Sequence, residues 1–143
     1  MDQELTDFGI TTEPFAMPKP PRDDVVVGGL AGDTQWTRVV TRRVAHTLWY
    51  HLTRLLFPDR AKQITTRAST SVIRSDKAPS ITTHVEVFRG KDNYIELLGT
   101  GGKSDWLTRL HEHDARRLWA ALDKMLFPLG WEGSDQRIPP PNT

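Results

Sequence analysis

The second half of the chain alternates apolar and polar residues in three short stretches and then changes to a helical period. Residues 80–89 (SITTHVEVFR) place apolar and polar side chains on opposite sides, the pattern of a half-buried strand. Residues 94–98 and 106–111 predict two further strands, joined by a hairpin loop at 99–103. A helix follows and ends before Pro128, because proline disfavours helical geometry in the residue before it. Its predicted apolar stripe consists of Leu118, Trp119, Leu122, Met125 and Leu126.

A similar pattern occurs seventy residues earlier. When residues 36–58 are placed over residues 106–128 without gaps, eight of 23 positions are identical. Typical residue frequencies would give about one or two matches by chance. The sequence therefore predicts a duplicated strand–strand–helix unit. The identical pairs are Trp36/Trp106, Ala45/Ala115, Leu48/Leu118, Trp49/Trp119, Leu52/Leu122, Leu56/Leu126, Phe57/Phe127 and Pro58/Pro128.

The pattern that predicts the first strand of the first unit is less regular than in the second unit. Val25–Val27 predicts a strand, Trp36–Val40 predicts a strand or an early helical turn, and the helix then ends at Phe57. Four prolines before residue 22 interrupt its first strand, since proline has no N–H to donate to a β-ladder. Between the units, residues 63–74 (QITTRASTSVIR) are rich in β-branched side chains and predict an additional strand.

These elements together predict the fold class α+β. Two helices with wide apolar faces need a sheet to cover. We therefore expect a pseudo-two-fold antiparallel sheet of about six or seven strands, with two helices packed against it. The predicted divisions of this one domain are an N-terminal tail (1–8), a first unit (9–58), a connecting strand and turn (59–79), a second unit (80–128) and a C-terminal tail (129–143).

Composition excludes several kinds of site. The chain has no cysteine, which excludes disulfides, thiolate metal ligands and a cysteine nucleophile. Nineteen Lys and Arg residues face eighteen Asp and Glu residues, and a net charge of +1 does not demand a polyanionic partner. No apolar run approaches the roughly 20 residues needed to cross a bilayer. The first 22 residues also lack the pattern of a signal peptide, so we expect a cytoplasmic protein that meets membranes only through partners.

The histidines do not form a recognisable catalytic or metal site. His111 and His113 could point the same way at a strand end, but no third ligand is identifiable. Asp114 is instead expected to cap the second helix by accepting backbone N–H bonds. His46 and His51 are five apart on the first helix, which is not the spacing that places two ligands on one face.

The other candidate chemistry is equally weak. His84 is isolated in its predicted strand, and the serines lack a nucleophile-elbow context. The loop at 99–103 departs from the spacing of a phosphate-binding loop, and a strand rather than a helix follows it. We therefore expect no catalytic residues, no metal and no cofactor.

Basic residues on the first helix and the segment after it are the strongest functional signal. Such a face suits an acidic protein partner or a phosphate backbone, although a solvated helix face has the same pattern. The candidate partner-binding residues are Arg38, Arg42, Arg43, Arg54, Lys62, Arg67 and Arg74.

The layout and three sequence segments each resemble a known group. A duplicated strand-rich unit that closes with a helix is similar to the PUR-type and Whirly-type single-stranded nucleic-acid binders. However, only Phe88 and Tyr94 are available on the predicted strands to stack bases. The segments 48–58 (LWYHLTRLLFP), 80–85 (SITTHV) and 114–123 (DARRLWAALD) resemble small cyanobacterial accessory proteins, in particular the V-subunit family of the photosynthetic NDH-1 complex.

The second resemblance implies a role beside a larger assembly. Its members are peripheral subunits of a ferredoxin:plastoquinone oxidoreductase on the cytoplasmic face of thylakoid membranes, where they would help acidic ferredoxin dock for cyclic electron flow. No functional residue of that family can be carried over by position. The expectation is a non-catalytic docking subunit, and the alternative is a single-stranded nucleic-acid-binding module.

Overall fold

Strands and helices form where the sequence has periods of two and of about 3.6 residues. The computed structural model describes residues 5–62, 65–66, 81–102, 105–128 and 137–138. The elements are β1 (Leu5–Lys19), β2 (Asp24–Ala31), β3 (Thr34–Val40), α1 (Arg42–Leu56), α2 (Pro58–Ala61), β4 (Thr65–Thr66), β5 (Ile81–Thr82), β6 (His84–Arg89), β7 (Ile95–Thr100), β8 (Asp105–Leu110), α3 (Glu112–Leu126) and β9 (Arg137–Ile138).

Seven strands form one sheet whose two edges belong to one stretch of chain. The strand order is β5-β3-β2-β1-β8-β7-β6. Only Thr83 separates β5 from β6, so residues 81–89 pair with β3 at one end and with β7 at the other. In the same way, the first part of β1 pairs with β8 and its second part with β2. The predicted α+β class and strand number are confirmed.

Two strand pairs of the seven-stranded sheet are parallel, so the prediction of an antiparallel sheet was wrong at these places. Leu5 pairs with Asp105 in the β1–β8 ladder, and Val39 pairs with Ile81 in the β3–β5 ladder. Between β3 and β5 the chain forms α1 and a long connection, which is the crossover that a parallel pair needs. The hairpins within each unit are antiparallel.

Equivalent contacts recur about seventy residues apart. The Trp36 indole donates to Thr11 Oγ1 at 3.0 Å. The Trp106 indole donates to Thr82 Oγ1 at 2.8 Å. Helices α1 and α3 both have 15 residues and end in nearly the same backbone geometry. A pseudo-two-fold axis between the units would produce such pairs, but the axis itself stays a prediction.

The two long helices begin differently. Thr41 Oγ1 accepts the backbone N–H of Val44 at 3.1 Å and caps α1. The prediction that Asp114 caps α3 was wrong, because the helix already starts at Glu112 and its cap position is His111. The Asp114 side chain is instead buried within the first turn, where a carboxylate meets the positive end of the helix dipole.

Strand β1 starts at Leu5, inside the segment predicted as a tail, and continues through two prolines. Pro14 lies in a β-bulge between Thr12 and Phe15, where the ladder skips a pair. Beyond Ile10, β1 pairs only with β2, and a strand with one paired edge tolerates proline.

The segment after α1 contains a short helix, α2, that the sequence pattern did not predict. The predicted strand at 63–74 is represented by β4, and its other residues lie outside the described part of the chain. Strand β4 pairs in parallel with β9, which lies in the predicted C-terminal tail.

One cluster of buried side chains joins the sheet to both long helices. At its centre the Trp36 and Trp106 ring centroids are 5.4 Å apart. A Cβ at Gly99 would overlap the Trp106 indole, so glycine is needed at this position. Because the core lies between the sheet and the helices, the outer side of α1, which carries Arg54, faces solvent.

Candidate docking surface

The first long helix carries only positive charge. α1 contains three arginines and neither aspartate nor glutamate, whereas α3 contains Glu112, Asp114 and Asp123 beside its basic residues. Arg42 and Arg43 lie in the first turn of α1, where the helix dipole already places partial positive charge. Each such arginine destabilises the helix by about 0.3–1 kcal/mol. The N-terminal end of α1 therefore carries two arginines beside the positive end of the helix dipole, one of which is paired with Asp23.

Arg43 and Arg54 form no ion pair with another described residue. They are eleven positions apart, close to three helical turns, so both lie on one side of α1. The Arg54 guanidinium is 5.8 Å from the Tyr50 ring centroid, a cation–π contact. Arg42 differs, because it is 3.4 Å from the Asp23 carboxylate. Arg43 and Arg54 are thus the predicted α1 residues best placed to meet an acidic partner.

The remaining predicted basic residues have different surroundings. The Arg38 guanidinium lies 4.9 Å from the Phe8 ring centroid, on strands β3 and β1 rather than on the helix. Lys62 is exposed after α2, with its Nζ 3.9 Å from a carboxylate of that helix. Arg67 and Arg74 lie outside the described residues. Only some of the predicted basic residues therefore lie together on one surface.

A second basic group, which the sequence reading missed, lies where the end of α1 meets α3. The Phe57 and Trp119 ring centroids are 4.7 Å apart. The Arg116 guanidinium is 5.2 Å from the Phe57 ring, and the Arg60 guanidinium is 5.3 Å from the Trp119 ring. We call these four residues the basic–aromatic junction.

A carboxylate that is shared by two arginines lies beside this junction. The Glu112 carboxylate lies 3.2 Å from Arg116 and 3.6 Å from Arg89. The Trp119 indole donates to Thr53 Oγ1 at 2.8 Å, which fixes the ring against α1. The i, i+4 spacing of Glu112 and Arg116 was visible in the sequence, but the approach of the two helices was not.

The opposite end of the helix pair has the same aromatic geometry, with His46 in the place that Arg116 takes at the basic–aromatic junction. The Trp49 and Phe127 ring centroids are again 4.7 Å apart, and the Trp49 indole donates to Asp123 at 2.9 Å. His46 packs edge-on against Phe127, with centroids 5.8 Å apart. Burial, and after it the charge of Arg42, lowers the pKa of His46 to about 4. We call His46, Trp49, Asp123 and Phe127 the His46 junction.

The other histidines do not assemble a metal centre. Among the described residues, no group of three or more His, Asp or Glu side chains could hold a metal ion. The exposed rings of His111 and His113 are nearly parallel with centroids 6.0 Å apart, and His111 also packs 4.8 Å from Tyr94. Burial, followed by the charge of Arg54, lowers the pKa of His51.

No protein-family model, curated protein or solved structure matches this chain. The resemblances to the V-subunit family and to the PUR and Whirly proteins therefore stay predictions. Within the described part of the chain, no helix has the length and apolar character needed to span a membrane. The charged surfaces of α1 and α3 are the features from which a function can be proposed.

Proposed function

We propose that this protein is a non-catalytic docking subunit that binds an acidic protein through α1. The observation that carries the proposal is that α1 contains arginines and no acidic residue. Arg43 and Arg54 lie on one side of this helix, and neither has an ion-pair partner among the described residues. Solvent-exposed charge of one sign raises the rate of encounter with an oppositely charged protein and selects its orientation.

The proposed setting follows from the V-subunit resemblance. The protein would be an accessory subunit of a photosynthetic NDH-1-type ferredoxin:plastoquinone oxidoreductase, held at the cytoplasmic face of the thylakoid by its partners. The acidic protein would be ferredoxin, and the subunit would assist its binding or stabilise the complex. The absence of cysteine is compatible with a subunit that carries no iron–sulfur cluster of its own.

The duplicated sequence supplies a matched control for this proposal. Lys124 on α3 occupies the position equivalent to Arg54 on α1, and both side chains are exposed. Binding of a cyanobacterial ferredoxin should be measured by calorimetry for the unmodified protein, for the double variant Arg43→Glu/Arg54→Glu and for Lys124→Glu. We expect the double variant to weaken binding at least about tenfold and Lys124→Glu to change it much less.

Salt provides the second readout of the same experiment. Exposed charges are screened over about 8 Å at 0.15 M salt, so affinity should fall as ionic strength rises. Absence of binding to ferredoxin at low ionic strength would exclude the proposed partner. The double variant changes the net charge by four units and Lys124→Glu by two, so a free-energy loss in Lys124→Glu of half that in the double variant or more would show that only net charge matters and would remove α1 as the docking surface.

A single-stranded nucleic-acid module is the second candidate, favoured by the exposed Phe88 ring on β6. Its side chain is 42% exposed, and a base could stack on it while arginines bind phosphates. The test is titration with a twelve-residue oligothymidylate. Salt-sensitive binding that Phe88→Ala weakens would support this candidate, whereas no binding at low salt would exclude it.

A further inference from the structure

The basic–aromatic junction has the composition of a binding hot spot. Tryptophan and arginine are the residues whose loss most often weakens protein–protein binding, and aromatic residues are enriched in interfaces. Here two guanidinium groups lie on a Phe57–Trp119 pair at one end of the helix bundle. The Arg116 side chain is 50% exposed, so its charge remains at the surface.

The two ends of the helix pair differ at one equivalent position. The His46 junction holds the other end of α1 against α3 with the same Trp–Phe distance of 4.7 Å. There the residue equivalent to Arg116 is His46, whose pKa is lowered to about 4 and which is therefore neutral at pH 7. At the position where the basic–aromatic junction has the Arg116 guanidinium, the His46 junction therefore has a neutral ring, so the two ends of the helix pair differ in charge at this position.

We propose that the basic–aromatic junction is the anchor for an acidic segment of the partner protein. This inference rests on the proposed docking function and specifies its centre. Carboxylates of the segment would pair with Arg60 and Arg116, while α1 supplies the surrounding positive charge through Arg54. Guanidinium and carboxylate groups match in a planar, two-bond arrangement that lysine cannot reproduce.

Stacking prepares Arg116 for this role. A guanidinium held over a ring loses less conformational freedom on binding, because it is already ordered. The Glu112 carboxylate bridges Arg116 and Arg89, and it can remain with Arg89 when an incoming carboxylate takes its place on Arg116. The exchange keeps both arginines paired with an acid.

The stacking also favours an acidic protein segment over a single-stranded nucleic acid. Nucleic-acid bases bind by stacking on open aromatic faces. The Phe57 and Trp119 rings already contact each other, and each carries a guanidinium group. The exposed Arg116 guanidinium offers a ligand charge and N–H donors rather than a free ring face.

The indole N–H groups of Trp119 and Trp49 provide a test inside the same molecule. Both donate to a side chain of the facing helix, at 2.8 Å and 2.9 Å. The probe is a decaglutamate peptide added to the full-length ¹⁵N-labelled chain, and the indole signals are assigned with Trp119→Phe and Trp49→Phe. We expect the Trp119 signal to move during the titration and the Trp49 signal to stay in place.

Lysine variants separate a specific site from general attraction. Arg60→Lys/Arg116→Lys retains both positive charges, and we expect it to weaken peptide binding about tenfold. The control Arg22→Lys/Arg117→Lys makes the same change at two exposed arginines outside the junction and should leave binding unchanged. Equal affinity of the two double variants would overturn the inference.

The outcomes also distinguish this inference from the proposed function. Peptide binding that moves the Trp49 signal, or neither indole signal, would refute the anchor while leaving an acidic partner in place. Absence of peptide binding at low salt would count against both. If an oligothymidylate of equal charge moved the Trp119 signal at lower concentration than the peptide, the acidic protein segment would be the wrong ligand class.

Discussion

The two ends of the α1–α3 pair have matching aromatic contacts in different environments. At both ends a tryptophan meets a phenylalanine at 4.7 Å and its indole donates to the facing helix. The His46 junction is closed, since Trp49 is only 1% exposed. At the basic–aromatic junction Trp119 is half-buried and guanidinium groups cover the rings. The two helices thus meet through the same kind of aromatic pair at both ends, and the residues around each pair differ, so that one contact is buried and the other lies at the surface.

The largest expected difference between the two ends is in stability. Trp49→Ala should lower the free energy of unfolding by about 3–5 kcal/mol, because it empties a fully buried site. Trp119→Ala should lower it by less, since part of that ring is already in contact with solvent. Urea unfolding followed by far-UV circular dichroism measures both. If Trp49→Ala does not fold, the milder variants Trp49→Phe and Trp119→Phe should rank in the same order. Equal losses in the free energy of unfolding at the two positions would mean that the two ends are equivalent.

The next effect is a pH dependence that only the His46 junction should show. His46 has a pKa of about 4 in the folded chain and about 6.5 when unfolded, so between these values only the unfolded state takes up the proton. Stability should therefore decrease as pH falls from about 6.5 to about 4, by roughly 3 kcal/mol in total, and this term should be absent above pH 6.5.

The variant His46→Leu isolates this term. The free energy of unfolding should be measured in urea at several pH values for the variant and for the unmodified protein. Relative to the unmodified protein, the variant should become more stable as the pH is lowered. His84→Gln, at an exposed position on β6, controls for the loss of an imidazole. A pH-independent difference for His46→Leu would show that the buried ring does not titrate in this range.

The smallest expected stability effect belongs to the arginine equivalent to His46. Arg116→Ala removes one exposed cation–π contact and one surface ion pair, each worth about 1 kcal/mol or less. The unfolding midpoint in urea should therefore move little, while binding of an acidic peptide should weaken strongly. A loss of stability as large as that of Trp119→Ala would assign Arg116 a structural role instead.

The sequence predicted elements better than it predicted their partners. The strands of the second unit, the two long helices and the number of strands in the sheet follow from local alternation and from proline positions. The parallel pairs Leu5–Asp105 and Val39–Ile81 do not, because the pairing of distant strands leaves no local pattern. Pro14 misled the prediction of β1, since a bulge that accommodates proline cannot be read from the residues alone.

The candidate site was predicted only in part for a related reason. Arg43 and Arg54 could be placed on one helix face from their spacing. Arg60 and Arg116 belong to different elements, and only the packing of α1 against α3 brings them to the same aromatic pair. Their charges were visible in the sequence, whereas the rings beneath them became evident only in the folded chain.

The shared strands make the two units dependent on each other for folding. Because β1 completes the ladder of β8, and the segment 81–89 completes the ladders of both β3 and β7, melting either unit would break hydrogen bonds in the other. Neither half has a complete sheet alone, so the chain should lose its structure in one cooperative step. The two predicted units are in this way a single unit of stability.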